Sequence, residues 1–205
     1  MCNLYRMTAS VDEIARMFDV AEGAGANIPP LDAIYPKTDA PIVRQNADGK
    51  RTLARITWGI PPPASIASTR PITNVRNLSS NFWKPMLADP ARRCLVPLTS
   101  FCEWTGKPGS KRKVWFALKD RPLFAFAGIW RPTGEGDRFA FLTCAPNDTV
   151  GAVHPNAMPV ILNAEDHGRW LSADYDEACA LAQPYPDHSM AAPQDDDAAQ
   201  GSLLE

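Results

Sequence analysis

The 205-residue chain has only three histidines, no Cys-x-x-Cys pair and no repeated cysteine spacing. His154, His167 and His188 stand at no metal-ligand spacing relative to Cys2, Cys94, Cys102, Cys144 and Cys179. No structural zinc site is therefore expected, and no metal or other cofactor. An odd number of cysteines argues against a disulfide framework and for a reducing cytoplasm. No apolar run approaches the roughly 20 residues of a membrane helix, so no membrane partner is expected. The opening residues lack a basic segment followed by an apolar stretch, so no secretory signal is expected either. Internal repeats are absent.

What is present is ordinary for one soluble domain with a sizeable core: 45% hydrophobic and 21% charged residues. The net charge of −2 hides an asymmetry. Residues 1–130 hold 18 Lys+Arg against 10 Asp+Glu, whereas residues 131–205 hold 3 against 13. A basic face that attracts phosphates fits this distribution, and so does a set of solvated charges.

Cys2 follows the initiator methionine, and a residue this small permits removal of Met1. Trimming would leave an α-amine and a thiol two carbons apart, a pair that no internal cysteine offers. The α-amine has an ordinary pKa of about 7.7–8.0, against about 10.4 for lysine, so more of it is nucleophilic near neutrality. Such an amine attacks aldehydes to give a Schiff base, which the thiol can close into a five-membered thiazolidine. The thiol can alternatively act as an acyl-transfer nucleophile with the amine as its base.

Ser10-Val-Asp-Glu13 reads as a capping box ahead of an amphipathic helix near 10–20. Residues 22–50 read as loop, with one short extended piece at Ile42-Val43-Arg44. Thr52 to Trp58 is a strand, and residues 80–88 form a short helix capped by Ser80 or Asn81. Five β-type runs follow: Arg93–Val96, Ser100–Trp104, Val114–Leu118, Leu123–Trp130 and Phe139–Cys144. Met158 to Leu162 is a further strand, Asn163 opens a helix, and Tyr175 to Ala182 forms another. The spacing predicts an α+β fold: a single domain built on a curled, mostly antiparallel β-sheet or partly closed barrel flanked by a few helices. The domain spans 1–183. Residues 184–205, rich in Pro, Asp, Ala and Gln, read as a disordered, dispensable acidic tail.

Several local patterns admit chemistry. Thr73-Asn74-Val75-Arg76-Asn77 is a polar segment in which Asn74 can orient a nucleophile and Arg76 can grip phosphate, unless it is simply a solvated loop. Glu103, inside Phe101-Cys102-Glu103-Trp104, is either an exposed strand carboxylate or a buried one suited to proton transfer. His154 precedes an apolar strand and is either structural or a general acid or base. Trp58, beside Gly59, reads as an edge indole able to stack on a base, or as core.

The joint order of these patterns is more specific than any one of them. Met1-Cys2, Trp58-Gly59-Ile60-Pro61, Asn74-Val75-Arg76, Arg92-Arg93-Cys94-Leu95-Val96-Pro97, Phe101-Cys102-Glu103-Trp104 and His154 ahead of Met158-Pro159-Val160-Ile161-Leu162 resemble the SRAP family of SOS-response-associated peptidases and abasic-site processing proteins. The resemblance implies a DNA-repair enzyme, cytoplasmic and nucleoid-associated, monomeric, that binds single-stranded DNA carrying abasic sites. It implies a thiazolidine crosslink through Cys2, with AP-lyase and self-processing peptidase activity. Asn74 would position Cys2. Glu103 would serve Schiff-base formation and removal of Met1, and His154 would move protons in ring opening or crosslink release. Arg76, Trp58 and Thr143 would face DNA. Two departures stand out: Asn3-Leu4 replaces the family's Gly-Arg, and His154-Pro-Asn-Ala-Met158 is one residue longer than the usual motif and lacks its arginine. Two other readings compete. One is an N-terminal cysteine nucleophile amidohydrolase, which needs a four-layer sandwich. The other is a non-covalent single-strand nucleic-acid binder.

Overall fold

In the computed structural model, residues 2–22, 28–107 and 109–195 are described. In chain order the elements are β1 (Tyr5–Met7), α1 (Val11–Met17), β2 (Val20–Glu22), β3 (Leu31–Ile34), β4 (Asp39–Gln45), β5 (Arg51–Trp58), β6 (Asn74–Val75), α2 (Lys84–Ala88), β7 (Arg93–Leu98), β8 (Ser100–Thr105), β9 (Arg112–Phe116), β10 (Phe124–Thr133), β11 (Gly136–Cys144), α3 (Asp148–Gly151), β12 (Met158–Pro159), β13 (Ile161–Leu162), α4 (His167–Ser172), α5 (Tyr175–Ala180) and β14 (Gln194–Asp195).

The strands form two sheets. One runs β14-β9-β8-β1-β3 and the other β12-β11-β10-β7-β4-β5-β2, with β13 on β10 and β6 on β11. A parallel pairing of β11 with β5, Phe139 opposite Trp58, joins the ends of the β11-β10-β7-β4-β5 run. The result is the partly closed, mostly antiparallel barrel with flanking helices that the turn-separated runs predict. All residues of β7 and the first six of β10 are buried, because both faces of these central strands are covered. Gly128 on β10 has no room for a side chain: a Cβ there would sit 2.7 Å from Val96 Cγ2 and 2.8 Å from Cys94 Sγ. Glycine is what lets β10 lie this close to β7.

Aromatic rings fill the space inside the barrel and beneath the second sheet. Phe126 lies 4.7 Å from Phe141, 5.6 Å from Phe101 and 6.3 Å from Tyr5, centroid to centroid. The T-shaped members of this cluster follow from the ring quadrupole, which favours edge-to-face contact. Helix α1 starts where the capping box places it. Ser10 N–H donates to Glu13 Oε2 at 2.8 Å and Glu13 N–H to Ser10 Oγ at 3.3 Å, and Ile14 and Phe18 anchor the helix in the core.

Four expectations are corrected. The segment 22–50 is not mainly loop: it holds β3 and the seven-residue β4, which lies between β7 and β5. The buried run Ala40-Pro41-Ile42-Val43 supplies its core contact despite the turn-forming residues around it. Helix α2 begins at Lys84 with Trp83, not Ser80 or Asn81, in the capping position. The strand expected over 158–162 is two: β12 pairs with β11 and β13 with β10. Finally, residues 184–195 are no tail. Tyr185 and Met190 are buried, Ala191 N–H donates to Ala117 O at 2.9 Å, and β14 pairs with β9. Asp195 reaches Arg112 at 2.5 Å. The acidic composition concealed two apolar anchors five residues apart, Tyr185 and Met190. Residues 196–205 lie outside the described residues.

Candidate active site

Strand register brings three of the expected residues together. β1 pairs antiparallel with β8, Tyr5 opposite Phe101, and Cys102 N–H donates to Leu4 O at 2.9 Å. Continued by two residues, this register sets Asn3 opposite Glu103, and Cys2, one residue further, lies within the field of the Glu103 carboxylate. β6 pairs with β11, Asn74 opposite Phe141, and delivers Asn74 from the neighbouring sheet. Asn74 Nδ2 donates to Cys2 O at 2.9 Å and lies 2.7 Å from Thr73 Oγ1. Asn74 Oδ1 is buried and has no hydrogen-bond partner among the described residues, which leaves an acceptor for an incoming donor.

Cys2 is 1% exposed, and its Sγ donates to Leu4 O at 3.5 Å. Burial pushes the thiol well above its ordinary pKa, and the carboxylate of Glu103 adds to the rise. Glu103 is 2% exposed. Burial raises its carboxyl, while the positive terminal amine and His154 oppose the shift. Its placement inside an apolar strand therefore has the buried outcome of the two that the sequence allowed. Thiol and carboxyl are both pushed toward their protonated, neutral forms.

His154 follows α3 in the turn ahead of β12, as expected. Its backbone N–H donates to Val150 O at 2.8 Å, and its ring Nδ1 lies 2.9 Å from Ala157 O. A carbonyl can only accept, so Nδ1 carries a proton. Arg76 Nη1 donates to Cys144 O at 3.0 Å and to Asn156 O at 2.7 Å. It thereby pins the loop after His154 to the end of β11, although the side chain is otherwise exposed. Burial pushes the neighbouring Cys144 thiol to about 11, with Arg76 opposing.

A model of the family described as "SOS response associated peptidase (SRAP)" matches residues 1–196. This chain belongs to the SRAP family. It is 28% identical to the abasic site processing protein YoqW of Bacillus subtilis over 95% of this chain and 92% of that one. It is 26% identical to YoaM of the same organism over 95% and 90%. Crystal structures of proteins from Bordetella bronchiseptica and Bacteroides thetaiotaomicron share the fold, with TM-scores of 0.77 and 0.76 at 20% and 22% identity. The first alignment covers 94% of this chain and 99% of that one, the second 93% and 90%.

Two expected DNA-facing residues are corrected on this SRAP fold. Trp58 is fully buried, stacks on Phe141 at 5.1 Å and donates Nε1–H to Thr73 O at 3.1 Å. Its ring is packed core, not an exposed platform. Thr143 is 3% exposed, with its hydroxyl donating to Val75 O at 3.4 Å. Both sit where β5, β6 and β11 converge, so they support Asn74 from behind. Beside them opens a cleft of about 950 Å³ whose wall includes Lys37, Phe82, Arg131 and Arg138.

Sequence reasoning missed three contributors. Tyr5 puts its buried hydroxyl in the field of Cys2, and burial raises its pKa well above normal. Asn3, standing where the family has glycine, accepts from Trp104 Nε1 at 3.0 Å. Asn147 caps α3 by accepting from Val150 N–H at 2.9 Å. For Asn147, the run Asn147-Asp148-Thr149 is the capping signal that was available. Among the described residues no group of three or more His, Cys, Asp or Glu is arranged to hold a metal, and no helix is long and apolar enough to cross a membrane.

Proposed function

We propose that this SRAP chain captures the open-chain aldehyde of an abasic site in single-stranded DNA as a thiazolidine on Cys2, once Met1 has been removed. The observation that carries the reading is the placement of Cys2: its carbonyl is held by Asn74 while its thiol shares a buried site with Glu103. The names of the two Bacillus subtilis relatives give the substrate class.

The order of steps follows from protonation. Near neutrality the thiol stays an S–H, so the α-amine attacks the aldehyde carbon first. The carbinolamine loses its oxygen as water to give an iminium. The thiol then adds to that carbon, its proton leaving as the C–S bond forms and the nitrogen lone pair being restored. Net loss is one water. Glu103, whose carboxyl burial pushes upward, takes the amine's proton in its ionised form and gives it back to the departing oxygen. It serves removal of Met1 in the same role. His154 moves protons in sugar ring opening and in crosslink release. Elimination from the iminium before ring closure gives the lyase route. Arg76 meets phosphate with the guanidinium donors not spent on carbonyls. The cations of the adjacent cleft extend the path, so binding is by charge and largely sequence-independent. The protein acts as a monomer in the cytoplasm.

The amidohydrolase alternative asks for a four-layer sandwich and an activated thiolate, against a barrel and a thiol pushed upward. Incubation with abasic single-stranded DNA, intact DNA and glutamine, followed by denaturing gels, separates the readings. A heat-stable shifted band with abasic DNA alone, lost in Cys2→Ala, is expected. Glutamine hydrolysis, or a Cys2→Ala protein that crosslinks fully without a reducing agent, would refute the proposal.

A further inference from the structure

After α5 the chain doubles back and lays residues 184–195 across the elements that carry both acid–base groups. On one side it grips α3. Asp187 accepts from Thr149 N–H at 2.7 Å and from Asp148 N–H at 3.3 Å. The Thr149 hydroxyl and amide hold the Asp187 carboxyl below its usual range. Asn147 Nδ2 donates to Tyr185 O at 2.8 Å. On the other side the segment extends the sheet of Glu103. Asp195 pairs with Val114, and Val114 pairs with Glu103. Met190 bridges to Leu118 and is 2% exposed.

A single helical turn such as α3 does not hold itself together, because nucleation costs more than one turn's hydrogen bonds return. Its first-turn N–H groups need partners from outside the helix. Asn147 supplies one and Asp187 two. The other end of α3 is where His154 N–H bonds to Val150 O. Position is thus transmitted from Asp187 to α3 and from α3 to His154, while β14 braces the strand beside Glu103.

We propose that the C-terminal strap, with Asp187 as its anchor on α3, is the positioning element that holds His154 in register with Glu103, so that aldehyde capture requires the strap to be docked. The identity of the reaction rests on the function proposed above; the coupling of Asp187 to His154 does not. Asp187 lies on the surface and touches no reacting atom, which makes it a positioning residue.

The test compares wild type, Asp187→Ala and Asp187→Asn in the full chain by two measurements. One is amide hydrogen exchange over 148–154. The other is the rate of crosslinking to an abasic oligonucleotide across pH, alongside affinity for the intact oligonucleotide. Asp187→Ala is expected to speed exchange at Thr149, Val150 and His154 and to slow crosslinking about tenfold, as a sub-ångström displacement of an acid–base group would. The pH profile shifts while DNA affinity holds. Asp187→Asn keeps an acceptor and recovers most of the protection and rate. Unchanged exchange in Asp187→Ala would overturn the proposal, as would faster exchange with an unchanged rate and pH profile. If wild type forms no crosslink, the functional reading fails, and the exchange result alone still decides whether Asp187 holds His154.

Discussion

Cys2, Asn74 and Glu103 are placed by strand register, whereas His154 is placed by side chains that reach its turn from distant parts of the chain. Asn74 lies on β6 and Glu103 on β8, both buried, and Cys2, three residues ahead of β1, is fastened to β6 by Asn74. A strand residue of this kind moves only if the sheet moves. His154 instead depends on Asn147, Asp187 and Arg76, each contributing one or two hydrogen bonds to a short turn or loop. The difference implies a fixed nucleophile site and a second acid–base group whose geometry can be lost by local opening, without unfolding the barrel.

The comparison breaks most visibly at the strap. Deleting residues from 184 onward exposes the pockets of Tyr185 and Met190, a loss of roughly 3–6 kcal/mol for two large buried side chains. The expected result, checked by thermal melting and exchange, is a lower Tm with the greatest loss of protection at α3 and β9. Retained stability would return the segment to the status of a dispensable tail.

Next in size is the fixed group. Glu103→Gln should slow crosslink formation by about 10²–10³, in the range of a lost general acid–base, and leave part of the protein with Met1 attached. Exchange over β8 should not change. His154→Ala should slow both crosslink formation, through ring opening, and crosslink release, and leave DNA affinity near wild type, measured by formation and reversal kinetics and binding. Equal formation and release rates would remove the histidine from the chemistry and leave the strap a purely structural device.

A third effect concerns acid. Burial depresses His167 to about 4, with Arg51 and Arg121 pushing the same way and Asp166 and Glu165 opposing. Above its ordinary pKa of about 6.5 the ring is neutral folded or unfolded. As pH falls below that value the unfolded chain takes up a proton that the folded one refuses, so up to about 3 kcal/mol of stability is lost by pH ~4. Denaturant melts between pH 7 and 4 should show this loss, and His167→Leu should flatten it. The barrel face under α4 is then the acid-sensitive region, separate from the active site.

The smallest effect sharpens the role of Arg76. Arg76→Ala should weaken binding to intact single strands and flatten the salt dependence by about one counterion unit. Arg76→Lys should keep the slope yet loosen the loop at Asn156, since a freely rotating ammonium lacks the fixed planar donor geometry by which Nη1 meets both carbonyls. An unchanged salt slope in Arg76→Ala would confine the residue to its carbonyl partners.

The same contrast explains what could be read in the sequence. Period-2 apolar runs between turn residues announce the barrel, and Ser10 with Glu13 announces α1, because these signals are local. The site residues are legible as an ordered set of motifs, yet their exposure is not. Trp58 and Thr143 belong to the same expected site as Asn74 but are buried, since pairing among β5, β6 and β11 decides which way their side chains face. Of β4 only the piece Ile42-Val43-Arg44 was legible, the rest being masked by proline and turn residues around a four-residue buried run. The strap was hidden by its acidic composition, because Tyr185 and Met190 gain their meaning only from pockets formed by residues far earlier in the chain. Long-range docking of this sort leaves no periodicity to find.

Intact-mass spectrometry after incubation with an abasic single-stranded oligonucleotide tests the central claim most directly. The account expects one heat-stable species, formed without a reductant, whose mass is the chain lacking Met1 plus the oligonucleotide minus one water. Its formation should depend on Cys2. An adduct of that stability on a chain that keeps Met1, or the same adduct in Cys2→Ala, would contradict it.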